Sequence, residues 1–416
     1  MARPGAGSRA RPEAMSPRRI ILPWRMRRTF LLLLGLLSGL VLAEAALRVY
    51  LRPYDETRFR RPDPVYHHGL VPNARGRQRT SEWDVEYQVN SLGLRDRETA
   101  PTKPPGTYRI LWTGDSTIDG AGLALDDTPP KQLERLLNAG TCRTRFEVLN
   151  AGVASFSPIL EYLFVKTTGL RLAPDLVVQH FDMSDVQDDY IYSRLARIAA
   201  GDVPEAVSGL DSGPAVDGPG LPAEAPRGVL ERAVRAAKLF QLVRAVPAVR
   251  EVFGVSRMTL DTPRDLEARG LVGDIRADRF AITRDGADLP GHWARSRRYL
   301  ALMGDLLRSH GVQWVLTVSP YGHQVAPEES EPGRRYFGLG PGLYGSTTPF
   351  RTLEAFGVSQ RVTVVNSLEA FRAAPAADRP LFYRYDMHLN ARGARVYARA
   401  VAAGLRRSGA LAGARC

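Results

Sequence analysis

The chain has 416 residues, 44% of them hydrophobic, which is enough for two or three packed domains or for one elaborated α/β domain with appendages. Its formal charge of +13 would suit a nucleic-acid partner, yet residues 1–28 alone hold eight arginines against one glutamate, and the remaining arginines are scattered among acids without interleaved aromatics. That distribution excludes a nucleic-acid-binding face, and two cysteines, Cys142 and Cys416, in no ligand-like spacing exclude a cysteine-built metal centre.

The basic tail, 1–28, precedes an apolar run that is uncharged from Thr29 to Ala43 and extends to Leu47 across Glu44. Nineteen helical residues span about 28 Å, close to the hydrocarbon thickness of a bilayer. The run therefore predicts a transmembrane anchor over 29–48 with inner-membrane lipid as its partner. The arginine-rich side stays cytoplasmic and everything after Tyr50 lies outside. A cleaved export signal is the alternative, since Ala43-Glu44-Ala45 has the small-x-small form and Arg27-Arg28-Thr29-Phe30-Leu31 resembles a twin-arginine signal. Both place the rest of the chain in the periplasm or beyond, where a Cys142–Cys416 disulfide is open but not required.

Residues 49–105 read as an extracytoplasmic lead-in rich in Arg, Pro and turn formers, with His67 and His68 in a solvated loop and Asn90 to Asp96 packing across a sheet edge. From Tyr108 short apolar strands alternate with helical segments, as a doubly wound parallel sheet requires. The strands are Ile110 to Trp112, Phe146 to Leu149, Leu176 to His180, Val312 to Val318 and Val362 to Val365. Helices begin at Thr128-Pro129-Pro130 and Ser157-Pro158, run from Ala294 to His310, and close the chain from Ala394 to Leu405. Residues 190 to about 292 break this rhythm. They read as an insertion, Gly- and Pro-rich over 208–228 and helical over 229–246, that forms either a lid over the sheet edge or a solubilising elaboration.

Two segments carry chemistry. Gly114-Asp115-Ser116-Thr117 stands where a strand ends and a Gly-rich turn begins, a position that holds a hydroxyl clear of the backbone. Far along the chain, Tyr385-Asp386-Met387-His388 supplies an imidazole and, two residues before it, a carboxylate able to fix its tautomer. Ser116 as nucleophile, His388 as base and Asp386 as orienter form the expected catalytic set.

Together these segments resemble the SGNH (GDSL-type) hydrolase family, and the intervening blocks extend the resemblance. Asn150-Ala151-Gly152-Val153-Ala154 matches the block whose glycine amide helps hold an oxyanion, and Phe181-Asp182-Met183-Ser184-Asp185 matches the block that normally carries Asn-Asp, with Ser184 in place of the asparagine. The two-residue Asp–His spacing is similar to that of membrane-anchored bacterial members and of polysaccharide O-acetyl transferases. The resemblance implies a three-layer α/β/α sandwich around a mainly parallel, flavodoxin-like sheet, over 106–412. It implies an oxyanion site from Ser116, Gly152 and Ser184, a pocket near Asp115, Asp185 and His323, and no metal or cofactor. His323 is expected on an exposed loop unless it lines that pocket. The implied activity is a serine esterase acting on O-acyl, chiefly O-acetyl, esters of envelope or extracellular glycans. The alternatives are an O-acyltransferase using the same acyl-enzyme and a glycan-binding module on a retired enzyme fold. The acids Asp182, Asp185, Asp188 and Asp189 beside His180 offer hard-cation chemistry as a rival, against a plain polar helix start.

Overall fold

A computed structural model describes residues 24–51, 56–80, 82–140, 142–208, 279–284 and 292–414. The expected helix over 229–246 and nearly all of the Gly- and Pro-rich stretch lie outside the described residues.

The first helix, α1, runs Trp24–Leu51. It is long and apolar enough to cross a membrane: its span Trp24–Tyr50 contains an 18-residue window with a mean hydropathy of 2.3, none of which is buried against the rest of the protein. Two hairpins follow, β1 (Arg60–Asp63) with β2 (His67–Leu70) and β3 (Arg75–Arg79) with β4 (Asp84–Gln88). The lead-in is thus structured rather than loop-like. His67 and His68 are buried on β2 at 4% and 3% exposure, not solvated. Their rings pack against Tyr192 and Phe156, their Nδ1 atoms bond to each other and His68 Nε2 bonds Ala154 O, so three of the four ring nitrogens find partners inside the fold.

The central sheet has five strands: β5 (Thr107–Gly114), β6 (Arg145–Gly152), β7 (Leu176–Phe181), β10 (Gln313–Val318) and β11 (Thr363–Asn366). A small hairpin, β8 (Ala196–Ile198) with β9 (Pro204–Val207), precedes the last two. All neighbours in the sheet pair in parallel and their order is β11-β10-β7-β5-β6. Counted within the sheet this is 2-1-3-4-5, the flavodoxin-like order, whose ligands bind outside the carboxyl ends of the strands. Crossovers are made by α2 (Pro129–Asn138), α3 (Pro158–Thr167), α4 (Asp185–Ser193), α5 (His292–Ser309) and α6 (Thr348–Gln360), and α7 (Ala391–Arg407) closes the domain.

Alternate residues of each strand enter opposite cores, as a parallel sheet covered on both faces demands. Ile110, Trp112, Val148 and Val178 pack with Leu133 of α2 and Val401 and Leu405 of α7. Leu111, Leu149 and Val177 pack with Leu160 and Leu163 of α3 and Met303 and Leu307 of α5. The three layers match the fold expected from the sequence. Register then fixes the working edge. Gly114 pairs Gly152 and Val318 pairs Phe181, so the segments after β5, β6, β7 and β10 emerge together.

Candidate active site

The edge is built first by β5. After Gly114 the chain enters a single helical turn, Ser116–Asp119, capped by Asp115, whose carboxylate accepts the Thr117 N–H at 2.8 Å. The turn stops at Gly120, φ 84°, a conformation that suits glycine. Ser116 is left partly exposed. Its Oγ lies 2.7 Å from His388 Nε2 and 3.3 Å from Asp115 Oδ2.

His388 sits on the loop before α7, and its Nδ1 is hydrogen-bonded to Asp386 Oδ1. The two-residue spacing works because Met387 between them is left-handed, φ 78°, with its side chain buried. That reversal turns both the ring and the amide of His388 towards Asp386 Oδ1, the amide at 3.4 Å. Burial opposes the Asp386 charge, but the adjacent imidazole outweighs it and holds the carboxyl below its ordinary range. Ser116, His388 and Asp386 thus form one continuous chain of contacts between residues that are 272 apart in sequence at the Ser–His step.

Glu82, on the turn between β3 and β4, was not visible as a site residue. Its carboxylate accepts three consecutive backbone N–H groups of the histidine loop: Arg384 at 2.5 Å, Tyr385 at 3.0 Å and Asp386 at 2.8 Å. Tyr383 ties the same loop back to the serine side by donating to Gly122 O at 2.7 Å. The lead-in also grips the serine turn. Tyr87 donates to Asp119 Oδ1 at 2.6 Å, and the fully buried Arg95 donates to the carbonyls of Asp119, at 2.6 Å, Gly120 and Leu123.

The two expected oxyanion partners beyond Ser116 are otherwise engaged. Gly152 closes β6 with its N–H 3.1 Å from Asn150 Oδ1. Its lack of a side chain serves close packing, because a Cβ there would come within 2.0 Å of Asp119 N. Ser184 is buried at the start of α4 and its hydroxyl donates to Asp188 Oδ2 at 3.1 Å. Asp185 is also buried, with its Oδ2 accepting the Asp182 N–H at 2.9 Å. Burial, with Glu161 and Asp182 nearby, pushes its carboxyl well up.

His323 is fully buried rather than exposed, at the first turn after β10. Its Nε2 lies 3.0 Å from Thr283 Oγ1 and burial pushes it down to about 3. The partner comes from 279–284, within the insertion, which the sequence could not place against this loop. Phe280 and Tyr321 flank the same ring, and Arg279 from that segment bonds Asp188.

Beneath the serine turn, Asp115, His180 and Asp182 offer ligand atoms within 4.8 Å of one another. By type these suit a divalent cation. Most of their other valences are taken: Asp182 Oδ1 accepts Ser184 N at 2.8 Å and Tyr321 OH at 3.2 Å, and His180 Nδ1 meets Tyr397 OH at 2.7 Å. Burial and the neighbouring Asp182 push Asp115 up to about 6.

Residues 282–415 match the family model for the SGNH hydrolase-like domain, acetyltransferase AlgX. Over that stretch the chain is SGNH hydrolase-like, and the stretch contains Asp386 and His388 while Ser116 lies before it. Solved structures similar to the chain include a putative lipolytic protein of the G-D-S-L family from Desulfitobacterium hafniense, at 12% identity over 72% of this chain and 99% of that one, TM-score 0.33. An acetylxylan esterase from Geobacillus stearothermophilus matches at 13% identity over 73% and 94%, TM-score 0.35. A further acetyl xylan esterase matches at 12% over 72% and 98%, TM-score 0.34. No curated protein matches the chain by sequence.

Proposed function

We propose that the protein is a serine acyl-esterase or acyltransferase that works through Ser116, His388 and Asp386. The observation that carries this reading is the Oγ–Nε2 distance of 2.7 Å, with the opposite ring nitrogen on a carboxylate that stays charged. Asp386 accepts from Nδ1–H, which leaves the Nε2 lone pair facing the hydroxyl; the tautomer follows from the bonding network. His388 takes the Ser116 proton as Oγ attacks an ester carbonyl. The negative charge that develops on the carbonyl oxygen is met by backbone N–H groups at the strand ends, beginning with that of Ser116. Collapse returns the proton to the departing alcohol and leaves an acyl-serine. Either water or a sugar hydroxyl, deprotonated in turn by His388, then takes the acyl group.

The substrate class we infer is O-acetylated glycan outside the cytoplasm. The acetyltransferase description of the matching family supports it, as does an apolar helix that would anchor or export the domain. That family description also favours transfer to a polysaccharide hydroxyl over release to water. Ser116→Ala decides the central claim: turnover of a small activated acetyl ester is expected to fall about a thousandfold or more, with the melting temperature unchanged. Full turnover in the variant would remove the nucleophile. Incubating the wild-type protein with an acetyl donor and oligosaccharides, and following acetylated sugar against free acetate by mass spectrometry, separates transferase from esterase.

A further inference from the structure

The loop after β6 turns sharply, with Phe156 N bonded to Val153 O at 2.9 Å. Of its two central residues Ser155 has a left-handed φ of 69°, whereas Ala154 is not among the positive-φ residues. This is the sign pattern of a type II turn, which ordinarily requires glycine at the second central position. A serine there is strained. Flipping the Ala154–Ser155 peptide would convert the turn to type I, which any residue accepts, so an outside contact must hold the strained form.

That contact is His68. Its Nε2 lies 2.8 Å from Ala154 O, and its Nδ1 lies 2.8 Å from His67 Nδ1. A carbonyl oxygen only accepts, so His68 Nε2 carries the hydrogen. With His68 neutral its Nδ1 is bare and accepts from His67 Nδ1–H, leaving His67 Nε2 as the unprotonated end. Consistently, His67 Nε2 is buried with no partner. Burial holds both rings neutral, pushing His67 down to about 4 and His68 well below its ordinary value.

Across a trans peptide the carbonyl and the following N–H point in opposite directions. The bond from buried His68 to Ala154 O therefore directs the Ser155 N–H away from the hairpin. The turn stands beside the nucleophile: Val153 N bonds Gly114 O at 3.0 Å, two residues before Ser116, and Ala154 and Ser155 are partly exposed. Gly152 and Ser184, the other oxyanion partners expected, are bonded to Asn150 and Asp188.

We infer that His68, fixed in one tautomer by His67, is a positioning residue that holds the Ala154–Ser155 peptide so that the Ser155 N–H serves the oxyanion beside Ser116. The inference rests on the acyl-serine reading above and adds to it a specific source for the second donor.

The test uses the full chain and a small activated acetyl ester. His68→Leu is expected to lower kcat roughly tenfold to a hundredfold, the range for weakening one oxyanion donor, with KM within about threefold. His68→Gln, whose side-chain N–H falls near the position of Nε2, should restore most of the loss. Adding Ser155→Gly to His68→Leu should also recover part of it, because glycine holds the left-handed turn without strain. A merely structural role would move stability without that rescue pattern. Wild-type kcat in folded His68→Leu would overturn the inference. So would a loss that neither His68→Gln nor Ser155→Gly relieves. If His68→Leu does not fold, His68→Gln and Ser155→Gly alone decide: near-wild-type kcat in both supports the lock, and a tenfold loss in His68→Gln defeats it. Activity surviving in Ser116→Ala would instead defeat the underlying catalytic reading.

Discussion

At Glu82 one carboxylate receives three successive backbone N–H groups of the loop that carries Asp386 and His388. Charge-assisted bonds of this kind are short and directional, and here they define the path of a loop that includes a left-handed methionine. Glu82→Ala is expected to lower kcat about tenfold or more, with a loss of about 1–3 kcal/mol in stability by chemical unfolding. Glu82→Gln should fall between, since an amide oxygen still accepts. A kcat unchanged in Glu82→Ala would show that the loop holds its shape without the clamp. For Ser184 the expectation is the reverse: with its hydroxyl on Asp188, Ser184→Ala should change kcat less than about threefold, far below the loss of a true oxyanion donor. The meeting of Ser116, Asp386 and His388 was legible because each stands at a recognisable break in the strand and helix pattern. Glu82 and His68 were not. Each acts on backbone brought near by the fold, across 302 residues for Glu82 and Arg384 and 86 for His68 and Ala154, and nothing local marks them. His323 misled for a related reason, because its cover comes from a segment beyond α4 that no periodicity ties to β10.

Among elements, the pairing of β5 with β6 sets how closely the serine turn approaches its neighbour. Gly152 meets the backbone of Asp119 so tightly that a methyl group has no room, and the obstacle is main chain, which cannot rotate aside. Gly152→Ala is therefore expected to displace the Ser116–Asp119 turn, reducing phosphonate labelling of Ser116 at least tenfold while the far-UV spectrum persists. Unaltered labelling would mean that the two segments can separate without consequence. The strands and crossover helices were readable because a parallel sheet buried on both faces leaves continuous apolar runs bounded by caps. The lead-in strands were not. Arg75 to Arg79, sequence RGRQR, lies largely exposed and has no apolar face to announce it; its partner strand and the loops it touches hold it in place.

The whole molecule hides an unusual number of acids behind the serine turn. Burial raises Asp189 from 3.8 to about 7 and Asp115 to about 6, and it raises Asp188, Asp185 and Glu161 as well. Over the interval from 3.8 to about 7 the folded state keeps a proton on Asp189 that the unfolded chain has released. Its contribution is thus fully present below that interval and is lost as pH rises through it. Asp189→Asn, which keeps an acceptor for the Ile159 N–H, should flatten the decline in melting temperature between pH 5 and pH 8 relative to wild type. Parallel curves for the two proteins would show that Asp189 is already ionised in the fold. On the cellular scale, protease added to spheroplasts is expected to digest the domain beyond α1 while the protein sediments with membranes.

The grip of the first hairpins on the site also bears on where the protein can be cut. A fragment starting at Thr107 would retain every strand of the central sheet together with Ser116, Asp386 and His388. It would lack Glu82 under the histidine loop, Tyr87 and Arg95 around the serine turn, and His68 behind Ala154. Such a fragment should be inert even where it folds, whereas one beginning before Glu56 keeps the machinery whole. The smallest working unit is therefore expected to begin some fifty residues ahead of the sheet.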